Sequence, residues 1–119
     1  EQVAQELIDN NVKCTWFVTH NSPAVKKLAQ NNLFELGIHP NFLPGSSHGN
    51  NADEIIKYCL DIVPNAKSIR THTLHQSSGL LKKIREDHGM LVDSSIYLPY
   101  AKNIEPHLLS FSHNSKPRW

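Results

Sequence analysis

Hydrophobic period switches between helix and strand about every ten residues along this chain, and that alternation restricts the fold more than any other feature. Val3, Leu7 and Ile8 mark one face of a helix from Glu1 to Asn11, and an apolar strand follows from Val12 to Thr19. A helix from Pro23 to Asn31 has Ser22 ahead of it as a cap and Pro23 in its first turn, and a strand runs from Leu33 to His39. Ile55, Ile56, Cys59, Leu60 and Val63 fall at helical spacing, so a helix capped by Asn51 or Asp53 runs through Val63 and stops at Pro64-Asn65. A strand at Lys67 to Thr71, a helix at Leu80 to His88 stopped by Gly89, and a strand at Met90 to Ser94 complete the alternation. Ile96 to Pro106 reads as irregular chain and Leu108 to Ser112 as a last strand. Strands that are mostly apolar on both faces and separated by helices predict an α/β fold, a parallel sheet or barrel with helices outside.

With 119 residues there is material for one core, so a single domain over 1–119 is expected. The chain lacks an initiating Met and opens in helix with no cap, so the domain is expected to be truncated at its amino end. Twelve Lys and Arg against eleven Asp and Glu leave a formal charge of +1 with no basic block, which argues against a nucleic-acid partner. No apolar run approaches the roughly 18 residues needed to span a bilayer, so no membrane segment is expected. Cys14 in a strand and Cys59 on the apolar side of a helix suit two small buried thiols. Without an Asn-x-Ser/Thr sequon, the preferred compartment is a reducing one, the cytoplasm.

In parallel α/β folds, ligands gather at the carboxyl ends of strands. His20 follows the first strand, His39 the second, His72 and His75 the third, and Asp93 stands near the end of the fourth. Neutral imidazole suits a divalent metal, and His39 and His48, nine positions apart across a loop rich in Pro, Gly and Ser, are the candidate pair. The alternative is a pair of solvated or locally hydrogen-bonded rings. Arg70 meets either a carboxylate of a rim salt bridge or a substrate oxygen, because a cation at the end of an apolar strand is costly alone. Asp93 is either a functional carboxylate or a turn cap for Ser94 and Ser95. Trp16, Phe17 and Phe42 read as core or loop packing.

The stretches "KCTWFV" (Lys13 to Val18) and "ELGIH" (Glu35 to His39), followed by "SIRTHTLHQSS" and "DHGMLVDSSIY", resemble the NodB-type polysaccharide deacetylases in order and spacing over roughly residues 1 to 98. Within that family the chain is similar to a divergent branch of bacterial surface-polysaccharide deacetylases, marked by "GSSHG" and "RTH…QSS". The resemblance implies a distorted, partial (β/α) barrel with mainly parallel strands and outer helices. It also implies hydrolysis of the acetamide of an N-acetylated sugar or polysaccharide, hence a carbohydrate substrate. His39 and His48 would be ligands of a divalent ion, zinc first, with cobalt, nickel or manganese as alternatives. Arg70, His72 and His113 would serve catalysis, and Asn41, His75 and Asp93 the substrate. Two departures stand out. The family's metal histidines are separated by roughly four residues, as ligands on one turn or loop are, and Arg70 is followed by "THTLHQSS" and not by a Pro-aromatic pair. The family's base and ligand aspartates belong to a strand preceding the first helix, so residues 1–119 alone are expected to be inactive. Its general-acid histidine corresponds to His107, to His113 or to a residue past Trp119. A catalytically silent carbohydrate-binding relic, or another metal-dependent hydrolase on a βα scaffold, are the other functions compatible with these residues.

Overall fold

The computed structural model describes residues 2–96 and the backbone of two short strands, Phe111–His113 and Lys116–Arg118. His107 and residues 108–110 of the expected last strand lie outside the described residues, as does the side chain of His113. The elements follow the alternation of the sequence: α1 (Gln2–Asp9), β1 (Cys14–Val18), α2 (Pro23–Ala29), β2 (Phe34–Ile38), α3 (Ala52–Ile62), β3 (Ser68–Ile69), α4 (Ser78–Glu86) and β4 (Val92–Asp93). β5 (Phe111–His113) and β6 (Lys116–Arg118) form an antiparallel pair.

β1 to β4 make one parallel sheet in sequential order. Each new strand is laid beside the last after a helical crossover, which is how an arc of a (β/α) barrel is built. β1 and β2 pair along their full length, Cys14 opposite Phe34 and Val18 opposite Ile38, whereas β3 and β4 are only two residues long.

The two faces of the sheet differ. Ile38 and Ile69 point to the helical side and are fully buried with Ile56 and Cys59 of α3, Ile84 of α4 and Met90. With a side-chain period of two, Thr15, Glu35 and Ser68 point to the other side. There both Glu35 oxygens accept hydroxyl hydrogen bonds, from Thr15 at 2.9 Å and Ser68 at 2.9 Å. The expectation of strands apolar on both faces therefore fails at these positions: the face away from the helices carries a hydrogen-bonded polar ladder.

Caps account for most boundary shifts. Asn51 Oδ1 accepts from Glu54 N and fixes the start of α3. α4 begins two residues earlier than predicted because Ser77 Oγ accepts from Leu80 N, drawing Ser78 and Gly79 into the first turn. Ser22 precedes α2 without a side-chain cap bond, and Pro23 alone sets that start. The two cysteines are free, Cys59 buried and Cys14 half-buried. Lys83 of α4 reaches Asp53 of α3 with both contacts at 2.9 Å, and His88 Nε2 lies 3.1 Å from the same carboxylate, so the amino end of α3 is tied to the far end of α4.

Candidate active site

Backbone pairing continues past the regular strands and builds the rim. His39 N donates to Val18 O, Arg70 N to Ile38 O and His72 N to Pro40 O. These bonds set His39 and His72 side by side, their rings 5.6 Å apart and nearly perpendicular. The chain then turns sharply: Thr73 (φ 56°) and Leu74 (φ 55°) are left-handed inside the 3₁₀ turn His72–Leu74. A β-branched residue in that region is costly, on the order of 1–3 kcal/mol, and such strain concentrates where a site must be shaped.

His48 comes from the loop after β2, yet it is only 5 % exposed. Three groups seat it. Asn41 N donates to its Nδ1 at 3.2 Å, Cys59 Sγ lies 3.7 Å from the same nitrogen, and Tyr58 stacks on the ring at 4.7 Å with an 18° tilt. His20, just after β1, meets the ring edge-on at 5.2 Å. His20, His39, His48 and His72 therefore stand at the carboxyl ends of the first three strands, the rim predicted for ligands.

Burial is the main reason both His39 and His48 have their pKa lowered, so both rings favour the neutral form. At His48 the neighbours His20, His39 and His72 add to the effect, since a proton on one opposes a proton on the next. At His39 the Arg70 backbone partly offsets burial, while His72 and the Arg70 cation reinforce it. Burial also pushes the Cys59 thiol up to about 12, so it meets His48 as a neutral thiol.

The remaining predicted residues whose side chains are described take these places. Arg70 is exposed and donates from Nη1 to Ser94 O at 3.1 Å and Ser94 Oγ at 3.3 Å, a hydrogen-bonded cation at the β3–β4 rim. Asp93 accepts from Ser95 N at 2.7 Å, acting as a turn cap, and from Gln76 Nε2 at 3.4 Å. Asn41 Oδ1 accepts from Leu43 N, so this residue shapes its loop through its side chain and seats His48 through its backbone. His75 is exposed and tilts against Phe42, 6.2 Å away, apart from the other imidazoles. The sequence reading omitted Tyr58 and Cys59 from the site. Both follow Ile55 on α3 at helical spacing, so an aromatic beside a buried thiol facing the loop was available as a signal.

Whether these donors suit a divalent ion turns on ring nitrogens. His39 Nδ1 is buried with no hydrogen-bond partner, a donor position that nothing in the described protein uses. His48 gives its Nδ1 lone pair to Asn41 N–H, so its neutral ring carries the proton on Nε2. Ligation through Nε2 requires that proton to move to Nδ1, which gives up the bond from Asn41 N–H and leaves Cys59 Sγ as the acceptor. His39 thus suits the ion as it stands and His48 only after that exchange, and among the described residues no group of three or more His, Cys, Asp or Glu side chains is placed to hold one.

No helix among the described residues is long and apolar enough to cross a membrane. No curated protein matches the chain. Its structure is similar to the crystal structure of a candidate polysaccharide deacetylase involved in O-antigen biosynthesis from Bordetella bronchiseptica, with a TM-score of 0.73 and 32% identity. The match covers 96% of this chain and 47% of that one, so the chain spans about half the length of that protein. The sequence itself matches the WbmS-like polysaccharide deacetylase family over residues 1–116. With the parallel βα arc and histidine-lined rim in place, that match assigns the chain to the WbmS-like polysaccharide deacetylases.

Proposed function

We propose that the protein hydrolyses the acetamide of an N-acetylated sugar in a bacterial surface polysaccharide or its precursor, with a divalent metal ion as cofactor. The observation that carries this reading is the convergence of His20, His39, His48 and His72 on one rim in a member of a deacetylase family, with His39 and His48 held toward neutrality. Neutral imidazoles serve as ligands or proton acceptors, whereas imidazolium does neither. When bound, the ion would polarise the acetyl carbonyl and lower the pKa of a water.

His39 and His48 would hold the ion. His72, 5.6 Å from His39, is placed to keep the His39 ring oriented or to accept a substrate hydroxyl. Arg70 has guanidinium nitrogens beyond the Nη1 bound to Ser94, and these would orient a carboxylate and keep it ionised. Asn41 and Asp93 hold the loops that would contact the sugar, and His113 or His107 would protonate the leaving amine.

The test is acetate release from N-acetylated glycans by the protein at its full natural length, before and after chelation and metal readdition. His39→Ala should reduce both zinc affinity by calorimetry and acetate release by at least about 10²-fold. Acetate release that survives both chelation and His39→Ala refutes the reading. One observation favours the silent carbohydrate-binding relic instead: the His48 Nδ1 lone pair is occupied by Asn41 N. Sugar binding without zinc binding or acetate release would establish that alternative.

A further inference from the structure

An open cleft of about 620 Å³ lies between the loop joining β2 to α3 and the start of α4, and the rim chemistry described above does not use it. Its walls include Phe42, Gly49, Asn50, His75, Ser77 and Gly79. Its size falls within the range of small-molecule sites, roughly 300–1,000 Å³. We propose that this cleft is a subsite for a neutral sugar ring of the glycan chain, adjacent to the unit whose acetamide faces the histidines. The proposal rests on the deacetylase reading.

Position is the first argument. His48 is bracketed by the cleft: Asn41, which donates to His48 Nδ1, is followed by wall residue Phe42, and His48 is followed by wall residues Gly49 and Asn50. A chain-like substrate with one unit at the rim must lay its neighbour along one of these loops. Chemistry is the second argument. Phe42 is anchored against the hydrophobic core and splays from His75 by 35° at 6.2 Å, giving a firm apolar wall for the C–H face of a pyranose. The Asn50 carboxamide and the His75 ring nitrogens make no hydrogen bond among the described residues, so both can meet sugar hydroxyls, whereas Ser77 Oγ and Asn51 Oδ1 are committed to caps.

Charge is the third. Lys83, the lysine in the wall, is matched by Asp53 at 2.9 Å and Asp87 at 3.3 Å, so among the described residues no Lys or Arg of the cleft is left to pair with an anion, which favours a neutral ring. Two wall glycines differ in what they tolerate. Gly49 (φ +152°) could not carry a Cβ, which would lie 2.7 Å from Glu54 Cβ, whereas a Cβ at Gly79 meets nothing within 4 Å.

That open position provides the test. Gly79→Arg places a long side chain on the cleft wall at a helix position with room for it, and Gly79→Gln a shorter one, with thermal unfolding used to verify that both variants are folded. Acetate release from chitopentaose and from N-acetylglucosamine is measured with the full-length protein. The expected result is that the parent prefers the oligomer in kcat/KM and that Gly79→Arg lowers the oligomer-to-monomer ratio roughly tenfold, with Gly79→Gln intermediate. An unchanged ratio with acetate still released overturns the subsite and leaves the deacetylase reading standing. If the parent releases acetate from neither probe, it is the deacetylase reading that fails. Chitopentaose binding then judges the cleft: amide shifts at Gly49, Asn50 and Gly79 that vanish in Gly79→Arg support it, and their absence from the parent overturns it.

Discussion

Gly37→Ala should destabilise the protein far more than a single added methyl suggests. Gly37 is buried in the middle of β2, on the face that carries Glu35 and, two residues on, His39. A Cβ there would stand 2.5 Å from Ser68 Oγ and 2.8 Å from two Phe17 ring carbons. Ser68 can yield only by turning its hydroxyl away from Glu35, because its backbone is held in β3 and its side chain is bonded to that carboxylate at 2.9 Å. Overpacking of this kind costs about 1–3 kcal/mol. The lost hydroxyl–carboxylate bond adds about 1 kcal/mol, taken at the low end because Glu35 is exposed. With an m-value of about 1.5 kcal/mol per molar urea, a total of about 2–4 kcal/mol lowers the unfolding midpoint by roughly 1–3 M. Tryptophan fluorescence reports the transition, since Trp16 lies in β1 beside β2. The double variant Gly37→Ala, Ser68→Ala removes the closest obstacle and should recover about half of the loss. A midpoint for Gly37→Ala within about 0.2 M of the parent, with m unchanged, would refute the reasoning that this glycine is required by close approach.

The lowered pKa values of His39 and His48 give stability a direction with pH. Below their ordinary value near 6.5 the unfolded chain takes up protons that the folded rings resist, so the unfolded state binds more protons and stability falls as pH drops from about 7 through that window. His48→Gln should flatten this slope in urea midpoints measured between about pH 5 and 7.5; a parent slope of zero would contradict it. Cys59 is buried with its thiol pushed up to about 12, so in native protein it should ignore a disulfide reagent that slowly reaches Cys14, and should react only on unfolding. Asn51→Ala removes the acceptor for Glu54 N and should cost about 1 kcal/mol, with Asn51→Asp close to neutral.

Where the sequence and the structure agree, a local signal was strong. The helical spacing of Ile55, Ile56 and Cys59 placed α3, and the apolar run ending in Ile38 placed β2, because the same residues build the buried cluster. The lower limit of α4 was missed because Gly79 reads as loop chemistry until the Ser77 cap bond is counted. β3 and β4 are shorter than their apolar runs, since regular pairing stops where the rim loops take over the backbone bonds, as at Arg70 N and His72 N. The polar face of the sheet was hidden for a different reason. Thr15, Glu35 and Ser68 are distant in sequence, and only the register of three strands shows that their side chains meet.

The unusual spacing of His39 and His48 follows from how each is held. His39 is delivered by a strand, so its position is set by the sheet: His39 N bonds Val18 O, and neighbouring Arg70 N bonds Ile38 O. His48 is delivered by a loop, and a loop residue ordinarily has freedom that would spoil a site. Here α3 removes it, with Tyr58 stacked on the ring and Cys59 Sγ 3.7 Å from Nδ1, while Asn41 N donates to the same nitrogen. Close sequence spacing is one way to fix two imidazoles on a rim, and a helix that clamps a distant loop is another. If that is the device, Tyr58→Leu should release His48 without unfolding α3, whose buried face is carried by Ile55, Ile56 and Cys59. The expected signature is a His48 ring resonance that moves toward the values of an exposed imidazole, accompanied by weaker zinc binding. Tyr58→Phe, which keeps the stacking face, should restore both. Equal behaviour of the Leu and Phe variants would mean that the loop holds itself and that the clamp has no role.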